Sequence, residues 1–477
     1  MSVAIEALID RLGTDAPTPA PQGDLSATVE HITIDSREVR AGSLFCAITG
    51  SSHDGHDYVE AAAAAGATAA LVERQIDADI AQVLVSDARL WSGWLAAALA
   101  DNPSHEVAVV GVTGTNGKTS IVTLVEHIVT ACGKRGASMG TLTGSLTTAA
   151  APKFQEQLRA FADSGAEVVA TEVSSHALDQ QRVAGTTFAV AVFTNLSQDH
   201  LDYHPTMEDY FAAKAKLFEP KLSQRAVIDV SDEWGRRLAE LHSIDAMLVD
   251  GDAVASAAQL TASGAAFHWR DHEVQLPLGG RFSVTNAVLA AEACVLLGFE
   301  PADIATALGS APQIPGRFEL VDLGQDFVVI VDYSHTPASI TAAVESARDL
   351  TPGRVLLVFG AAGDRDPGKR PLMGAAASAA DRLYITSDNP RSEDPDTIIS
   401  EVRAGVSPEH GTETIQTIAD REAAIHAAIT DAGEGDVVVI AGKGHEDYQI
   451  IGTERRDFDD RVVARAALVA NGCDTNA

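Results

Sequence analysis

Residues 106–120 read EVAVVGVTGTNGKTS, an apolar run followed at once by a glycine loop and a lysine. The run at 106–112 is short and nearly unbroken, which is typical of a strand buried on both faces of a parallel sheet. The loop almost matches a phosphate-binding loop, in which a glycine, four residues and then Gly-Lys-Ser/Thr follow one another. In that pattern the first glycine falls at position 112, where Val112 stands. The loop is therefore either a damaged nucleotide-binding site or an intact site with a different sequence pattern.

The loop leads into SIVTLVEHIVTACG, which has apolar residues at helical spacing and ends at Gly133. A strand, a glycine loop and a helix form the context that a bound phosphate requires, since glycines admit backbone amides and the helix N-terminus adds partial positive charge. Lys118 adds a full charge, and the Thr119 hydroxyl can hold Mg²⁺. A plain glycine-rich turn is the alternative. We expect the loop to bind ATP through Gly114, Thr115, Asn116, Gly117, Lys118, Thr119 and Ser120.

The length of 477 residues and the recurring strand patterns indicate three domains, since one domain per about 150 residues is usual. Buried-strand candidates recur in EVVATEV, FAVAVFTNL and RAVIDV, and again in FVVIVDY, RVLLVFG, RLYITSD and DVVVIAG. Ligands bind at the loops that leave the carboxyl ends of such strands. We predict an α/β protein with a small α/β domain at 1–105, a central parallel-sheet, P-loop ATPase domain at 106–313 and a Rossmann-like α/β domain at 314–477.

The composition excludes several functional classes. A net charge of −33 opposes binding to nucleic acid, whose phosphates demand a basic surface. The first residues, MSVAIEALIDRLGT, carry two carboxylates and predict a short amphipathic helix instead of a signal peptide. No apolar run reaches the ~20 residues that cross a bilayer, and the four cysteines lack metal-binding spacing. We expect a cytoplasmic monomer that acts on small molecules, does not insert into membranes and keeps its cysteines reduced.

Polar residues that could bind a metal follow two further strands. Glu172 lies in EVVATEV and His200 lies in NLSQDHLDYH, so both should reach the edge of the sheet that carries the phosphate loop. Mg²⁺ that bridges ATP oxygens prefers carboxylate and hydroxyl ligands, which suits Glu172 and Thr119. His200 is a softer ligand, and a hydrogen-bonded structural histidine is the alternative. Lys214 lies in an apolar helical stretch, where periodicity alone favours a lysine that extends to the surface.

The middle of the chain resembles the Mur ligase family and the related folylpolyglutamate synthases in three segments, TGTNGKTS, NLSQDHLDYH and AAKAKLF. The resemblance implies that the loop is complete and that Val112 belongs to its strand. It also implies that Lys214 is carbamylated, which turns a cation into an anion that serves a second Mg²⁺ together with His200. The implied catalytic residues are Lys118, Glu172, His200 and Lys214, and the implied metal ligands are Thr119, Glu172, His200 and Lys214.

The resemblance covers nearly the whole chain, from DSREVRAGSLFCAITG to the last strand and loop. Within the family, EVSSHALDQQRV is similar to the MurE type, which adds the third residue of the peptidoglycan stem. The first domain is then implied to bind the uridine diphosphate part of a UDP-muramyl dipeptide. By position, the residues that match contacts to this substrate are Ser36, Arg37, Thr147, Thr148, Ser174, Gln180 and Arg182. The sequence departs from the family at Ala149, where proline or glycine usually follows the two threonines.

The third block matches the family's nucleotide and amino-acid contacts. The implied further ATP contacts are Asn286, Arg317, Asp332 and His335. The segment Asp388-Asn-Pro-Arg391 resembles the signature of members that take meso-diaminopimelate, and lysine-specific members usually lack this arginine. A planar guanidinium can bind the remote carboxylate of such a substrate bidentately, although a lone arginine in a loop is more often simply solvated. The implied amino-acid contacts are Arg365, Asp388, Asn389, Arg391, Gly442 and Glu446.

The resemblance implies an ATP-dependent ligase of peptidoglycan precursor synthesis. Such an enzyme adds meso-diaminopimelate to the γ-carboxylate of UDP-N-acetylmuramoyl-L-Ala-D-Glu through an acyl phosphate, with two Mg²⁺ ions. The alternatives are the same reaction with L-lysine, a folylpolyglutamate synthase, and a non-catalytic ATP-binding protein on the same fold. A domain that precedes the phosphate loop disfavours the synthase, and a scaffold has no use for all four catalytic residues.

Overall fold

The computed structural model describes residues 2–12, 16–50, 53–144, 146–241 and 244–473, which form three α/β units along the chain. The first contains a five-stranded sheet in the order β2-β7-β6-β5-β4, in which only β2 is antiparallel to its neighbour. The strands of this first unit, inside and outside that sheet, are β1 (Val3–Ala4), β2 (Gln22–Gly23), β3 (Thr28–Val29), β4 (His31–Thr33), β5 (Ser43–Cys46), β6 (Ala67–Val72) and β7 (Ala81–Leu84). Its helices are α1 (Ile5–Leu12), α2 (Val59–Ala64) and α3 (Ala88–Leu99). The amphipathic helix expected at the start of the chain is therefore confirmed as α1.

The central unit is built on a six-stranded, fully parallel sheet in the order β13-β12-β11-β8-β10-β9. Its strands are β8 (Ala108–Thr113), β9 (Gly136–Met139), β10 (Val168–Glu172), β11 (Val190–Phe193), β12 (Arg225–Asp229), β13 (Asp245–Val249), β14 (Gln259–Thr261), β15 (Gly264–Trp269) and β16 (His272–Leu276). Its helices are α4 (Lys118–Ala131), α5 (Ala151–Asp163), α6 (Ser175–Asp179), α7 (Met207–Ala215), α8 (Glu233–Leu241), α9 (Gly251–Ser256), α10 (Arg281–Leu296) and α11 (Pro301–Leu308).

The central strand β8 is buried on both faces, as its unbroken apolar run predicts. Val110 and Val112 pack into the core that contains α4 and α10, whereas Val109 packs into a second core on the opposite face. Val112 therefore belongs to the strand, as expected. The antiparallel sheet β14-β15-β16 was not predicted from the sequence; it buries Phe267 and Trp269 against the core of α4 and α10.

The third unit contains a six-stranded sheet in the order β17-β18-β22-β19-β20-β21, which is parallel except for β17. Its strands are β17 (Glu319–Leu320), β18 (Val328–Asp332), β19 (Val355–Phe359), β20 (Arg382–Ile385), β21 (Ile415–Thr417), β22 (Val437–Ala441), β23 (Tyr448–Ile451) and β24 (Glu454–Asp457). Its helices are α12 (Pro337–Leu350), α13 (Lys369–Ala377), α14 (Pro395–Ala404), α15 (Arg421–Asp431) and α16 (Asp460–Ala470). Across the described ranges, no helix combines the length and the apolar character needed to cross a bilayer.

Candidate active site

The phosphate loop, Glu172 and the segment 194–200 meet at one edge of the central sheet. Strands β8, β10 and β11 are direct neighbours and run parallel, so their carboxyl ends face the same way. Glu172 is the last residue of β10, and the phosphate loop follows β8. The expectation that the loop and the candidate metal ligands share an edge is confirmed.

The phosphate loop is fixed by side chains from the neighbouring strand end. The backbone amide of Asn116 donates to Oδ1 of Asn195 at 3.0 Å, and Oγ1 of Thr194 donates to the Asn116 carbonyl at 2.6 Å. Gly117 has φ +89°, and a Cβ at this position would lie 2.5 Å from Oδ1 of Asn286. Only glycine combines this conformation with so close an approach. The loop is thus a preformed cradle at the N-terminus of α4.

Two lysines from different elements converge on the loop. Nζ of Lys118 donates to the carbonyls of Gly114 at 2.9 Å and Thr115 at 2.8 Å, and Nζ of Lys214 donates to the same Gly114 carbonyl at 2.8 Å. Lys214 is 1% exposed, which excludes the alternative of a lysine that extends to the surface. Burial, reinforced by the charge of Lys118, holds the pKa of Lys214 well below its ordinary value, and burial also lowers the pKa of Lys118.

A carboxylate, a hydroxyl and a guanidinium lie together beside the loop. Oγ1 of Thr119 donates to Oε1 of Glu172 at 3.1 Å, and the amide of Thr141 donates to the same oxygen at 2.7 Å. Arg317, from the third unit of the fold, donates from Nη2 to Oγ1 of Thr119 at 2.9 Å and lies over the ring of Tyr333 at 4.3 Å. The guanidinium of one domain therefore reaches the phosphate loop of another.

His200 lies in a charged cluster that the sequence did not reveal. It has φ +57°, and its Nε2 lies 3.5 Å from Oδ2 of Asp199. Two groups from the third unit approach the same carboxylate, Nζ of Lys369 at 3.5 Å and Nε2 of His335 at 3.7 Å. Burial lowers the pKa of His200 to about 3, against the opposing charge of Asp199. Burial would raise the pKa of Asp199, but the hydrogen bond from His335 and the surrounding cations hold it well below its ordinary value.

A cavity of about 550 Å³ opens between the central and third units next to the phosphate loop. Its lining includes seven of the predicted ATP contacts, Asn116, Gly117, Thr119, Ser120, Asn286, Arg317 and Asp332. The carboxylate of Asp332 accepts from the amides of Phe318 at 2.7 Å and Ser334 at 2.9 Å, so it shapes the wall of the cavity through the backbone. His335 lies in the Asp199 cluster instead, and its contact with ATP stays a prediction.

Four of the residues predicted to bind the muramyl dipeptide, Thr148, Ser174, Gln180 and Arg182, lie next to one another. Oγ1 of Thr148 donates to the carbonyl of Glu172 at 2.8 Å and accepts from the amide of Ser174 at 3.1 Å. Arg182 donates to the Thr148 carbonyl at 2.9 Å and to Oε1 of Gln180 at 2.8 Å. Thr148 is buried and its hydroxyl is engaged on both sides, so it supports the loop from within.

Of the remaining predicted substrate contacts, Thr147 and Ser36 are half-buried and Arg37 is exposed. Oγ1 of Thr147 accepts from Oγ1 of Thr141 at 3.3 Å. Ala149, which replaces the usual proline or glycine, packs against the core of the central unit. Ser36 and Arg37 lie in the first unit, where Nη2 of Arg37 pairs with Oδ2 of Asp35 at 2.6 Å. Among the described residues, no hydrogen bond or ion pair joins these two to the other five, so their shared role stays a prediction.

The predicted amino-acid contacts follow strands β19, β20 and β22 of the third unit. Nη1 of Arg391 donates to the carbonyl of Gly363 at 2.6 Å, and Arg391 has φ +52°. Nδ2 of Asn389 donates to Oε2 of Glu446 at 2.9 Å, and Asp388 is 5% exposed beside Gly442. The structure thus brings the Asp-Asn-Pro-Arg segment and the last loop together.

Two residues complete the description of this pocket. Arg365 is exposed and donates to the carbonyl of Asp364 at 3.1 Å, so its contact with a substrate stays a prediction. Lys443 was missed at the sequence level: its buried Nζ lies 3.0 Å from Oε2 of Glu446 and 3.4 Å from Oδ1 of Asn389. The Gly-Lys-Gly-His-Glu motif contained the signal, because a lysine between a buried strand and a carboxylate is expected to pair with it.

Three family models match the chain: Mur ligase family, catalytic domain, over 28–101; Mur ligase middle domain, over 112–294; and Mur ligase, glutamate ligase domain, over 316–444. Two similar curated proteins are named UDP-N-acetylmuramoyl-L-alanyl-D-glutamate--2,6-diaminopimelate ligase. The one from Geobacillus kaustophilus is 44% identical over 92% of this chain and 95% of its own length, and the one from a Synechococcus species is 43% identical over 98% and 99%. A solved structure of a ligase of that name is 32% identical, with a TM-score of 0.67 and 99% of each chain covered.

Proposed function

The chain belongs to the Mur ligase family, and on that premise we propose that it adds meso-diaminopimelate to UDP-N-acetylmuramoyl-L-Ala-D-Glu at the expense of ATP. The reaction joins an amine of the diamino acid to the γ-carboxylate of the D-glutamyl residue and belongs to the synthesis of peptidoglycan precursors. The observation that carries this proposal is the meeting of Lys118, Lys214 and Arg317 at one nucleotide cradle, since Arg317 comes from the third unit, which also carries the loop of Asp388 and Arg391.

The need for ATP follows from the chemistry of the carboxylate. A carboxylate does not condense with an amine in water, because its oxygen is a poor leaving group. Transfer of the γ-phosphoryl group to that oxygen gives an acyl phosphate, whose carbonyl carbon the free amine can then attack, with phosphate leaving. Phosphoryl transfer is mainly a matter of positioning and charge stabilisation. In this chain Lys118 and Arg317 would supply the cations and the loop amides would orient the phosphates.

The residues at the cradle fit a magnesium site. Thr119 and Glu172 offer a buried hydroxyl and a buried carboxylate 3.1 Å apart, which are hard oxygen donors of the kind that Mg²⁺ prefers. Within the described ranges, no group of three or more histidine, cysteine, aspartate and glutamate side chains could hold a metal by itself. We propose that Thr119 and Glu172 would hold one Mg²⁺ and that His200 and carbamylated Lys214 would hold the second. Bound there, the ions would offset the negative charge of the phosphates.

The environment of Lys214 fits its proposed carbamylation. Carbon dioxide reacts with the uncharged form of an amine, and burial favours that form. The side chain is enclosed between the Gly114 carbonyl at 2.8 Å and the ring of Tyr210, whose centroid lies 4.6 Å from Nζ. The carbamate would supply the anionic oxygen that a second Mg²⁺ at this place requires.

The second chemical step requires the amino acid and the acyl phosphate to meet without water, since acyl phosphates hydrolyse. The amino-acid pocket lies in the third unit, and the nucleotide cradle lies in the central unit. Arg317 and Lys369 already connect the two units, through Thr119 and Asp199. We propose that contact between these units aligns the amine with the activated carboxylate and excludes water.

Phosphate release by the purified protein tests the proposed function. We expect release only when ATP, Mg²⁺, the UDP-muramyl dipeptide and the amino acid are all present. The same assay with meso-diaminopimelate, L-lysine and L-ornithine identifies the amino acid, and we expect the first to be used in strong preference. Efficient use of L-lysine would make the lysine-adding reaction the correct one. Phosphate release that depends on neither substrate would leave only a generic ATPase.

The other candidates account for fewer observations. A folylpolyglutamate synthase from Mycobacterium tuberculosis shares the fold with a TM-score of 0.57 at 20% identity, but over only 80% of this chain. The 44% identical relative, in contrast, aligns over 92% of the chain. A non-catalytic ATP-binding protein would not need a buried amine such as Lys214 beside the phosphate cradle. We therefore retain the diaminopimelate-adding ligase.

Replacing Arg391 should weaken use of the amino acid far more than use of ATP. We choose Arg391→Asn because asparagine tolerates the φ of +52° that alanine adopts only with strain. Loss of a charge-assisted hydrogen-bonding group should raise KM for diaminopimelate roughly 10- to 100-fold. Steady-state kinetics with each substrate varied in turn measure this.

The matched control for this experiment is Arg456→Ala, which removes an exposed arginine of β24 that pairs only locally, with Glu454 at 2.9 Å. It should leave every KM unchanged. If Arg391→Asn instead raised KM for ATP and for diaminopimelate by the same factor, Arg391 would be a structural residue of the loop.

A further inference from the structure

A fully buried ion pair lies directly beneath the amino-acid pocket. Arg421 and Asp460, at the first positions of α15 and α16, have side chains that are both 0% exposed. Nε and Nη2 of Arg421 donate to Oδ1 and Oδ2 of Asp460 at 2.8 and 2.7 Å. A buried pair of this kind is weak support for stability, because apolar residues of similar size often serve as well. Its position therefore needs another explanation.

The guanidinium of Arg421 is connected to the pocket through the end of β22. Nη2 also donates to the carbonyl of Ala441 at 2.9 Å, the residue before Gly442. A Cβ at Gly442 would lie 3.8 Å from Nη2 of Arg421 and 2.8 Å from Oδ2 of Asp388. The buried cation and the Asp388 carboxylate therefore lie on two sides of the space that a side chain at position 442 would occupy. Any residue larger than glycine would enter that space.

Asp388 and Arg421 each have a polar group without a hydrogen-bond partner among the described residues. Asp388 is 5% exposed, and its carboxylate accepts no hydrogen bond within the ranges that the structure describes. Nη1 of Arg421 is buried and has no partner within the same ranges. A nearly buried carboxylate is costly unless a cation or a donor balances it. Arg421 is a cation placed behind the carboxylate, and the side facing the pocket is left for a ligand.

We propose that Arg421 is a positioning residue for the amino-acid substrate, which holds the end of β22 and balances the charge of Asp388 so that this carboxylate can receive a substrate ammonium group. The inference rests on the proposed function, because it takes Asp388 as part of the amino-acid pocket. Arg421 itself does not touch the substrate. It acts through Gly442 and Asp388, and Asp460 keeps the guanidinium in place.

The test uses a double variant that removes both buried charges, Arg421→Met with Asp460→Leu. Removing Arg421 alone would leave Asp460 buried without a partner and could unfold the domain. We expect the double variant to fold, to raise KM for diaminopimelate about tenfold or more, and to change kcat and KM for ATP by no more than about twofold. The conservative variant Arg421→Lys keeps the charge and should retain a KM for diaminopimelate closer to that of the unaltered protein.

A matched control removes the ion pair at the other end of the same strand. Nη2 of Arg354 pairs with Oδ2 of Asp436 at 2.6 Å just before β22 begins. The variant Arg354→Met with Asp436→Asn should lower the melting temperature at least as much as the first double variant. It should leave KM for diaminopimelate unchanged, because it lies at the opposite end of β22 from Gly442.

Adding Asp388→Asn to each protein separates action through Asp388 from a general effect. If Arg421 acts through Asp388, Asp388→Asn should raise KM for diaminopimelate much less in the double variant than in the unaltered protein. The reason is that the double variant and Asp388→Asn would both weaken the contact of residue 388 with the substrate ammonium group. Full additivity, an unchanged KM for diaminopimelate, or equal rises in both KM values with a lower melting temperature would each overturn the inference. Absence of amino-acid-dependent phosphate release from the unaltered protein would instead overturn the proposed function, and this inference with it, before any variant is made.

Discussion

Lys118→Ala should lower kcat for ligation by roughly a thousandfold or more, since it removes the only full positive charge that the phosphate loop itself contributes. Nζ of Lys118 lies within the loop, between the carbonyls of Gly114 and Thr115. Without it, the charge that develops on the transferred phosphoryl group is met only by Arg317 and the metal ions. Phosphate release under saturating substrates measures the loss.

The control for Lys118 is Lys134→Ala, an exposed lysine of the central unit that pairs with Glu167 at 2.7 Å. It should keep normal turnover. The melting temperature of the Lys118→Ala protein should stay within a few degrees of the unaltered one, because Lys118 makes only local contacts within its loop. Near-normal ligation by a folded Lys118→Ala protein would remove the proposed role of the phosphate loop.

Lys214→Ala should cost on the order of a hundredfold in kcat, since it removes the group proposed to provide an anionic ligand for the second Mg²⁺. Part of the loss should return when a short carboxylic acid such as formate or acetate is added at high concentration, because its carboxylate can occupy the space of the lost carbamate. Steady-state rates with and without the added acid, at matched ionic strength, measure the recovery.

Lys216→Ala is the matched control for Lys214→Ala, because this lysine lies two residues further along, is partly exposed and pairs with Asp179 at 3.1 Å. It should keep full activity and should not respond to added acid. Full activity of Lys214→Ala without any added acid would end the carbamate proposal. A large loss that no acid restores would instead assign Lys214 a role as a buried amine.

The architecture of the site is largely encoded in local sequence. Strand β8, the glycine loop and α4 follow one another without interruption, so the position of Lys118 and Thr119 can be predicted from periodicity and loop composition. Glu172 could be placed at the same edge because parallel strands align their carboxyl ends. These inferences required no knowledge of distant contacts.

The burial of Lys214 could not be derived from periodicity. An apolar helical stretch with a lysine fits a surface position equally well, because a lysine stem can cover apolar surface while its amine reaches water. The deciding contact joins Nζ of Lys214 to the carbonyl of Gly114, which lies 100 positions earlier. Only the folded sheet, or the resemblance to a family, supplies that information.

The charged connections between domains were also invisible in the sequence. Asp199 and Lys369 are separated by 170 positions, and Arg317 and Thr119 by 198. Asp199, Lys369 and Arg317, read alone, each fit a solvated loop position. The same holds for Arg421, whose importance appears only when β22, α15 and α16 are packed together.

Because Arg317 reaches from the third unit to Thr119 in the phosphate loop, the cavity beside that loop has one wall from each unit. We expect a spent nucleotide to leave after these two walls separate, so that its release includes a movement of the third unit relative to the central unit. The turnover rate should then depend on solvent viscosity. Added glycerol or sucrose should lower the turnover rate in proportion to the increase in viscosity.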